Sequence, residues 1–209
     1  MLEILNIKKG FHSELLLNIP YIKLEGGVYW LEGVNGSGKT TLFKMIAGLL
    51  PFEGDVKIDG ISLKKQPVTY RQRISLAETE PLFPRFLTGI ELIHFYYSVR
   101  KVQPKEVNPL LELYAMNSFI NDTVGTYSAG MIKKLSLVLA LIGNPSWIIL
   151  DEPFITLDAV SCRLTLSLFA ERCQNFNTNF FISSHQDLHS AAYDPGTRLC
   201  IRDQNLAFE

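Results

Sequence analysis

Eight consecutive residues, Gly33-Val34-Asn35-Gly36-Ser37-Gly38-Lys39-Thr40, follow the pattern GxxxxGK[ST] at every fixed position, and Thr41 comes next. Each type has a chemical reason to be there. Glycines let backbone N–H groups converge on a phosphate with no Cβ in the way. Lys39 carries a mobile positive charge for β- and γ-oxygens, and the Thr40 hydroxyl is a hard oxygen donor suited to Mg2+. Further along, Trp147-Ile148-Ile149-Leu150-Asp151-Glu152 is a run of four apolar residues ending in two carboxylates. Neighbouring residues of a strand point to opposite faces, so the two acids must have different duties. Asp151 suits a Mg2+ ion held through water, and Glu152 suits polarising an attacking water. The chemistry these residues spell is nucleotide phosphate binding beside a water-activating acid.

The elements that must position them are legible nearby. Val28-Tyr29-Trp30-Leu31 is an unbroken run of β-formers ended by glycine, which predicts a buried strand feeding the glycine loop. After Gly38, Leu42, Met45, Ile46 and Leu49 recur at helical spacing until Pro51, which predicts a helix with its positive end at the phosphate. Leu2, Ile4 and Ile7, then residues 15–19, read as strands, and Val56-Lys57-Ile58-Asp59-Gly60 reads as one arm of a hairpin. From about Pro84 to Ile142 strand signals vanish, and helices are expected over residues 90–99, 108–116 and 131–142. Strands return at Trp147-Ile148-Ile149-Leu150 and Asn179-Phe180-Phe181-Ile182-Ser183, separated by a helical stretch over 159–172, which predicts a βαβ unit and a parallel sheet. The expected architecture is an α/β core, about 1–83 and 145–209, with a helical subdomain at about 84–144. Ser128 is placed to cap the apolar helix that follows, and a Ser hydroxyl, the Gly130 backbone and a helix N-terminus together make an anion site.

Composition narrows the classes of function. Twenty basic against twenty-one acidic side chains leave a net charge of −1, so no global basic field exists to hold nucleic acid. The hydrophobic fraction of 47% in 209 residues excludes intrinsic disorder. Cys162, Cys173 and Cys200 form no CxxC pair and read as reduced thiols. The charged N-terminus has no apolar core of a signal peptide, and no apolar run approaches the ~20 residues of a membrane span. The expectation is a soluble, intracellular chain.

Taken in chain order, these motifs resemble the ATP-binding subunit of an ABC (ATP-binding cassette) transporter, over essentially all of the chain. Gly33–Thr40 resembles Walker A, and Ile148 to Glu152 resembles Walker B with its following glutamate. Tyr127-Ser128-Ala129-Gly130-Met131 resembles the LSGGQ signature, Leu157-Asp158 the D-loop, and His185 the switch histidine. The resemblance implies a P-loop NTPase fold of ABC type and ATP hydrolysis with Mg2+. It implies catalytic roles for Glu152, His185 and Lys39. Nucleotide contacts would come from Asn35, Gly36, Ser37, Gly38, Lys39, Thr40 and Thr41, and from Phe11 stacking on adenine, though Phe11 could instead pack in the sheet. It implies metal contacts from Thr40 and, through water, Asp151. Ser128 and Gly130, with Asp158, would close over the nucleotide of a second ATP-binding subunit. The further partner implied is a separate transmembrane permease, which places the chain at the cytoplasmic face of the cell membrane. His12, His94 and His189 have no motif around them.

Two departures from the family pattern matter. Where a metal-ordering Gln is expected, the segment reads Ala77-Glu78-Thr79-Glu80-Pro81, so Thr79 or Glu78 would supply the oxygen, and Glu80 could as well. Ala129 replaces the first signature glycine. The Gln departure leaves open a subunit that binds ATP structurally and hydrolyses it weakly. A soluble ABC ATPase acting on DNA or ribosomes fits less well, since the chain shows neither coiled-coil arms nor a basic stripe. Phe83, Phe86, Phe95, Tyr96 and Tyr97 could line a groove for a permease helix or simply pack between helices.

Overall fold

A computed structural model describes residues 1–12, 14–103, 107–184 and 196–209. Two sheets organise it. Strands β1 (Leu2–Phe11), β2 (Glu14–Leu24), β4 (Glu53–Ile58) and β5 (Ile61–Ser62) form an antiparallel sheet in the order β2-β1-β4-β5. The second sheet runs β10-β9-β3-β8-β7-β6, from β3 (Val28–Glu32), β6 (Ile74–Ala77), β7 (Trp147–Asp151), β8 (Asn179–Ser183), β9 (Thr197–Arg202) and β10 (Asn205–Phe208). Its strands β6, β7, β8, β3 and β9 pair in parallel, and β10 closes the edge antiparallel to β9.

The unbroken apolar runs of β3, β7 and β8 have a simple cause: both faces of this sheet are covered. Alternate residues of each strand enter different cores. Trp30, Ile148, Leu150, Phe180 and Ile182 join the core that holds the helices α3 (Gly89–Arg100), α4 (Asn108–Leu113), α5 (Ala129–Leu141) and α6 (Ala159–Phe176). Tyr29, Leu31, Trp147, Ile149 and Phe181 face the antiparallel sheet, with helix α1 (Lys39–Ile46) between. The expected β7–α6–β8 unit is present, and Asp151 is the register partner of Ser183.

Several boundaries differ from the sequence reading, each for a local reason. Helix α1 stops at Ile46, because Gly48 takes φ +73 and turns the chain; Leu49 therefore lies outside the helix and is exposed. The signature helix begins two residues early, at Ala129, with Ser128 as its cap. Helix α2 (Pro67–Gln72) opens on a proline, which suits a first helical turn, and it carried no apolar stripe to announce it. The hairpin β9–β10 turns on Asp203 and Gln204, both at positive φ, rather than on the Asn-Gly or Asp-Gly pair that usually marks such a turn.

Candidate functional site

The carboxyl ends of β3 and β7 lie on either side of β8, which is where a parallel sheet presents ligands. From β3 the chain enters the glycine loop. Gly36 and Gly38 adopt φ +82 and +102, left-handed backbone that favours glycine. Gly33 takes φ +153, which strains any larger residue, and a Cβ there would stand 2.7 Å from Ser37 Oγ and force that hydroxyl to turn away. The Lys39 ammonium folds back over the loop, donating to the carbonyls of Gly33 at 2.6 Å and Val34 at 3.2 Å. Burial pulls its pKa below the ordinary lysine value, and the Glu152 and Asp151 carboxylates partly offset that effect.

From β7 the chain delivers the acids. Asp151 is buried and accepts two hydroxyl hydrogen bonds: Thr40 Oγ1 donates to Oδ2 at 2.7 Å and Ser183 Oγ donates to Oδ1 at 2.6 Å. The first of these ties the end of β7 to the first turn of α1. Ser183 Oγ also accepts the Glu152 N–H at 3.1 Å, so one hydroxyl on β8 fixes both acidic residues. Glu152 leaves the strand at φ +50, a left-handed turn that re-aims its side chain, and is 6% exposed. Asn35 to Thr41, Thr79, Asp151 and Glu152 line one open cleft of about 460 Å³.

The other residues singled out in the sequence are placed as follows. Thr79 lines the cleft, whereas Glu78 turns to the opposite side, where its carboxylate pairs with Lys44 at 3.1 Å and edges a separate groove. Phe11 is at the far end of β1, 47% exposed with Lys9 Nζ 4.8 Å above its ring, and does not line the cleft; Leu16 does. Ser128 caps α5, its Oγ accepting the Met131 N–H at 3.3 Å, and Ala129 beside it is exposed. A Cβ on Gly130 would lie 3.1 Å from the Thr156 carbonyl oxygen, so α5 begins in close contact with the segment that follows the two acids. Asp158 caps α6, accepting from both N–H and hydroxyl of Ser161; those bonds bring its pKa down to about 2, so the cap keeps its charge at any pH above that value. Neither Ser128, Gly130 nor Asp158 lines the cleft. His185 and His189 lie outside the described residues. The aromatic cluster divides: Tyr97 is core, Phe83 and Tyr96 line the separate groove, and Phe86 and Phe95 are exposed.

Two participants went unnoticed in the sequence. Ser183 carried no motif, although its place at the end of an apolar strand put it level with Asp151. Lys133 is 3% exposed and donates to the carbonyls of Glu78 at 3.2 Å and Thr79 at 2.8 Å. Burial lowers its pKa, opposed by the carboxylates of Asp151, Glu152 and Glu80. The signal was there: Lys133 shares the helical face of the buried Leu137 and Ala140. Replacing Ser183 by Ala would strip the bond from Asp151 Oδ1 and from the Glu152 N–H together. The expected cost is about 1–3 kcal/mol, measured as a lowered midpoint in urea unfolding.

Comparison with known proteins bears on the same segments. The family model described as ABC transporter matches residues 21–155, which take in the glycine loop and both acids. The uncharacterized ABC transporter ATP-binding protein YhcH of Bacillus subtilis (strain 168) is 31% identical over 188 residues, 88% of this chain. The chain spans 62% of the length of that relative. Among solved structures, an ATP-binding subunit of an ABC transporter superposes with a TM-score of 0.91 at 24% identity, covering 100% of this chain and 89% of that one. A dimeric ATP-binding cassette in a post-hydrolysis state, bound to ADP and Pi, superposes with a TM-score of 0.81 at 22% identity, covering 100% and 98%. These likenesses establish a shared fold, the P-loop cassette. With the family model matched across most of the chain and YhcH aligned over nearly all of it, the conclusion is plain: this chain belongs to the ABC transporter family.

Proposed function

We propose that the chain binds and hydrolyses ATP as the nucleotide-binding subunit of a transporter, and that a separate transmembrane permease uses the work. The observation that carries this reading is the Thr40–Asp151 hydrogen bond of 2.7 Å, which locks the glycine loop to the strand whose next residue is Glu152. In the proposed mechanism the loop N–H groups and Lys39 bind the β- and γ-phosphates, and Glu152 takes a proton from the attacking water. The residues present suit Mg2+: Thr40 and Asp151 offer hard oxygens on adjoining elements, and Thr79 also lines the cleft. Bound Mg2+ would neutralise charge on the phosphate oxygens. His185 is assigned its γ-phosphate role from its place after β8.

Ser128, Gly130 and Asp158, standing away from this cleft, are proposed to meet the nucleotide of a second ATP-binding subunit, and residues 84–144 to act as the helical subdomain that carries them. Among the described residues no helix is long and apolar enough to cross a membrane. The proposed permease contact is the groove of about 420 Å³ edged by Leu49, Leu82, Phe83 and Tyr96, with Arg71 and Arg100 as its cations. Peripheral attachment at the cytoplasmic face follows from that contact.

Two measurements on the purified chain test the reading: Mg2+-dependent release of phosphate from ATP, and binding of a fluorescent ATP analogue. Both are expected to be positive. Binding without turnover would favour the structural ATP-binding subunit that the missing Gln allows, and failure to bind would overturn the proposal.

A further inference from the structure

Thr79 reaches the cleft from a loop whose fastening is not its own. Its hydroxyl sits one rotatable bond from the backbone and has only three staggered positions, so wherever the backbone at 78 and 79 moves, that oxygen moves with it. The two carbonyls of that backbone are held by one group, the Lys133 ammonium on α5. The Glu78 side chain is held from the other side, by Lys44 on α1. The loop is therefore pinned between two helices: α1, which begins at the glycine loop, and α5, which begins at the signature residues.

A buried lysine is an expensive choice for bracing a loop, since a side-chain amide has two N–H donors for the same two carbonyls and desolvates no charge. What the ammonium adds is a fixed positive charge. The anions that face it are Asp151 and Glu152 from the end of β7 and Glu80 from the loop itself. Lys133 is thus placed to hold Thr79 in position and to moderate the negative charge of the acids across from it.

We propose that Lys133 is a positioning residue of the site: through the carbonyls of residues 78 and 79 it seats the Thr79 hydroxyl at the metal edge of the cleft. The part concerning metal rests on the ATP-binding reading above; the part concerning the loop does not.

The test compares the full chain with Lys133→Met, which keeps the length and loses the charge, and Lys133→Arg, which keeps charge and donors. Amide hydrogen exchange of residues 76–83 is measured in nucleotide-free protein. The Mg2+ concentration for half-maximal ATP turnover is measured alongside fluorescent-ATP affinity in EDTA. In Lys133→Met, exchange over 76–83 is expected to quicken about tenfold. Half-saturating Mg2+ is expected to rise about fivefold or more, with metal-free nucleotide affinity changed less than about twofold. Lys133→Arg should recover most of both effects.

A folded Lys133→Met with parental exchange over 76–83 overturns the proposal, as does equal behaviour of the Met and Arg variants. Should Lys133→Met not fold, Lys133→Leu, which likewise removes both the donors and the charge, is judged by the same criteria. If the parent chain itself fails to bind ATP, the functional reading falls while the exchange comparison still decides the role of Lys133 in the loop.

Discussion

Glu152→Gln is expected to lower ATP turnover by about 10²–10⁴-fold, the range that a positioned general base contributes. The substitution preserves size and one acceptor oxygen, so the left-handed backbone at this residue and the Ser183 bond to its N–H have no reason to change. Nucleotide affinity should therefore stay within about threefold of the parent, since the lost interaction belongs to the transition state. A protein that binds but cannot cleave should also accumulate as an ATP-dependent dimer if two copies close over the nucleotide. Phosphate release and size-exclusion chromatography with ATP read the two effects separately. Turnover at the parental rate would remove Glu152 from the mechanism.

Lys39→Met should act at the other end of the same path. The ammonium is the mobile cation of the loop, and charge-assisted hydrogen bonds to phosphate are roughly twice as strong as neutral ones. Its loss is expected to weaken ATP binding about 10–100-fold and to lower turnover about 10²–10³-fold, as for other removed electrostatic donors. The fold should tolerate the change. Two bonds to the Gly33 and Val34 carbonyls disappear, but so does the cost of keeping a buried cation, the same burial that depresses the Lys39 pKa. The thermal midpoint is expected to move by no more than about 4 °C. Calorimetric titration with ATP and a thermal melt check the pair; unchanged affinity would refute the assignment of Lys39 to phosphate.

The glycine loop and the acidic strand end were legible because their information is contiguous: strand, turn and helix follow one another within about twenty residues. The parallel sheet was legible because burial on both faces makes the middles of β7 and β8 unbroken apolar runs, with polar residues only at the strand ends. What stayed hidden depends on partners remote in the chain. Nothing near Glu78 and Thr79 says which will face the cleft; that is settled by Lys44 and Lys133, and Lys133 lies more than fifty positions away. Where Phe11 lies relative to the cleft was equally hidden: the hairpin leaves its ring exposed under Lys9, outside the lining of the cleft. Leu49 completed a helical period that Gly48 had already ended.

The hydroxyl of Ser183 has a consequence for folding as well as for chemistry. It can serve Asp151 only while β7 and β8 are in their native alignment, because a shift by one residue would send the serine through to the other side of the sheet and bring Ile182 opposite the acid. A misaligned chain would keep much of its apolar contact and lose its anchored carboxylate. Ligand that recognises only the aligned form would then draw the population towards it by mass action, so that substrate proofreads the strand pairing on which its own binding depends.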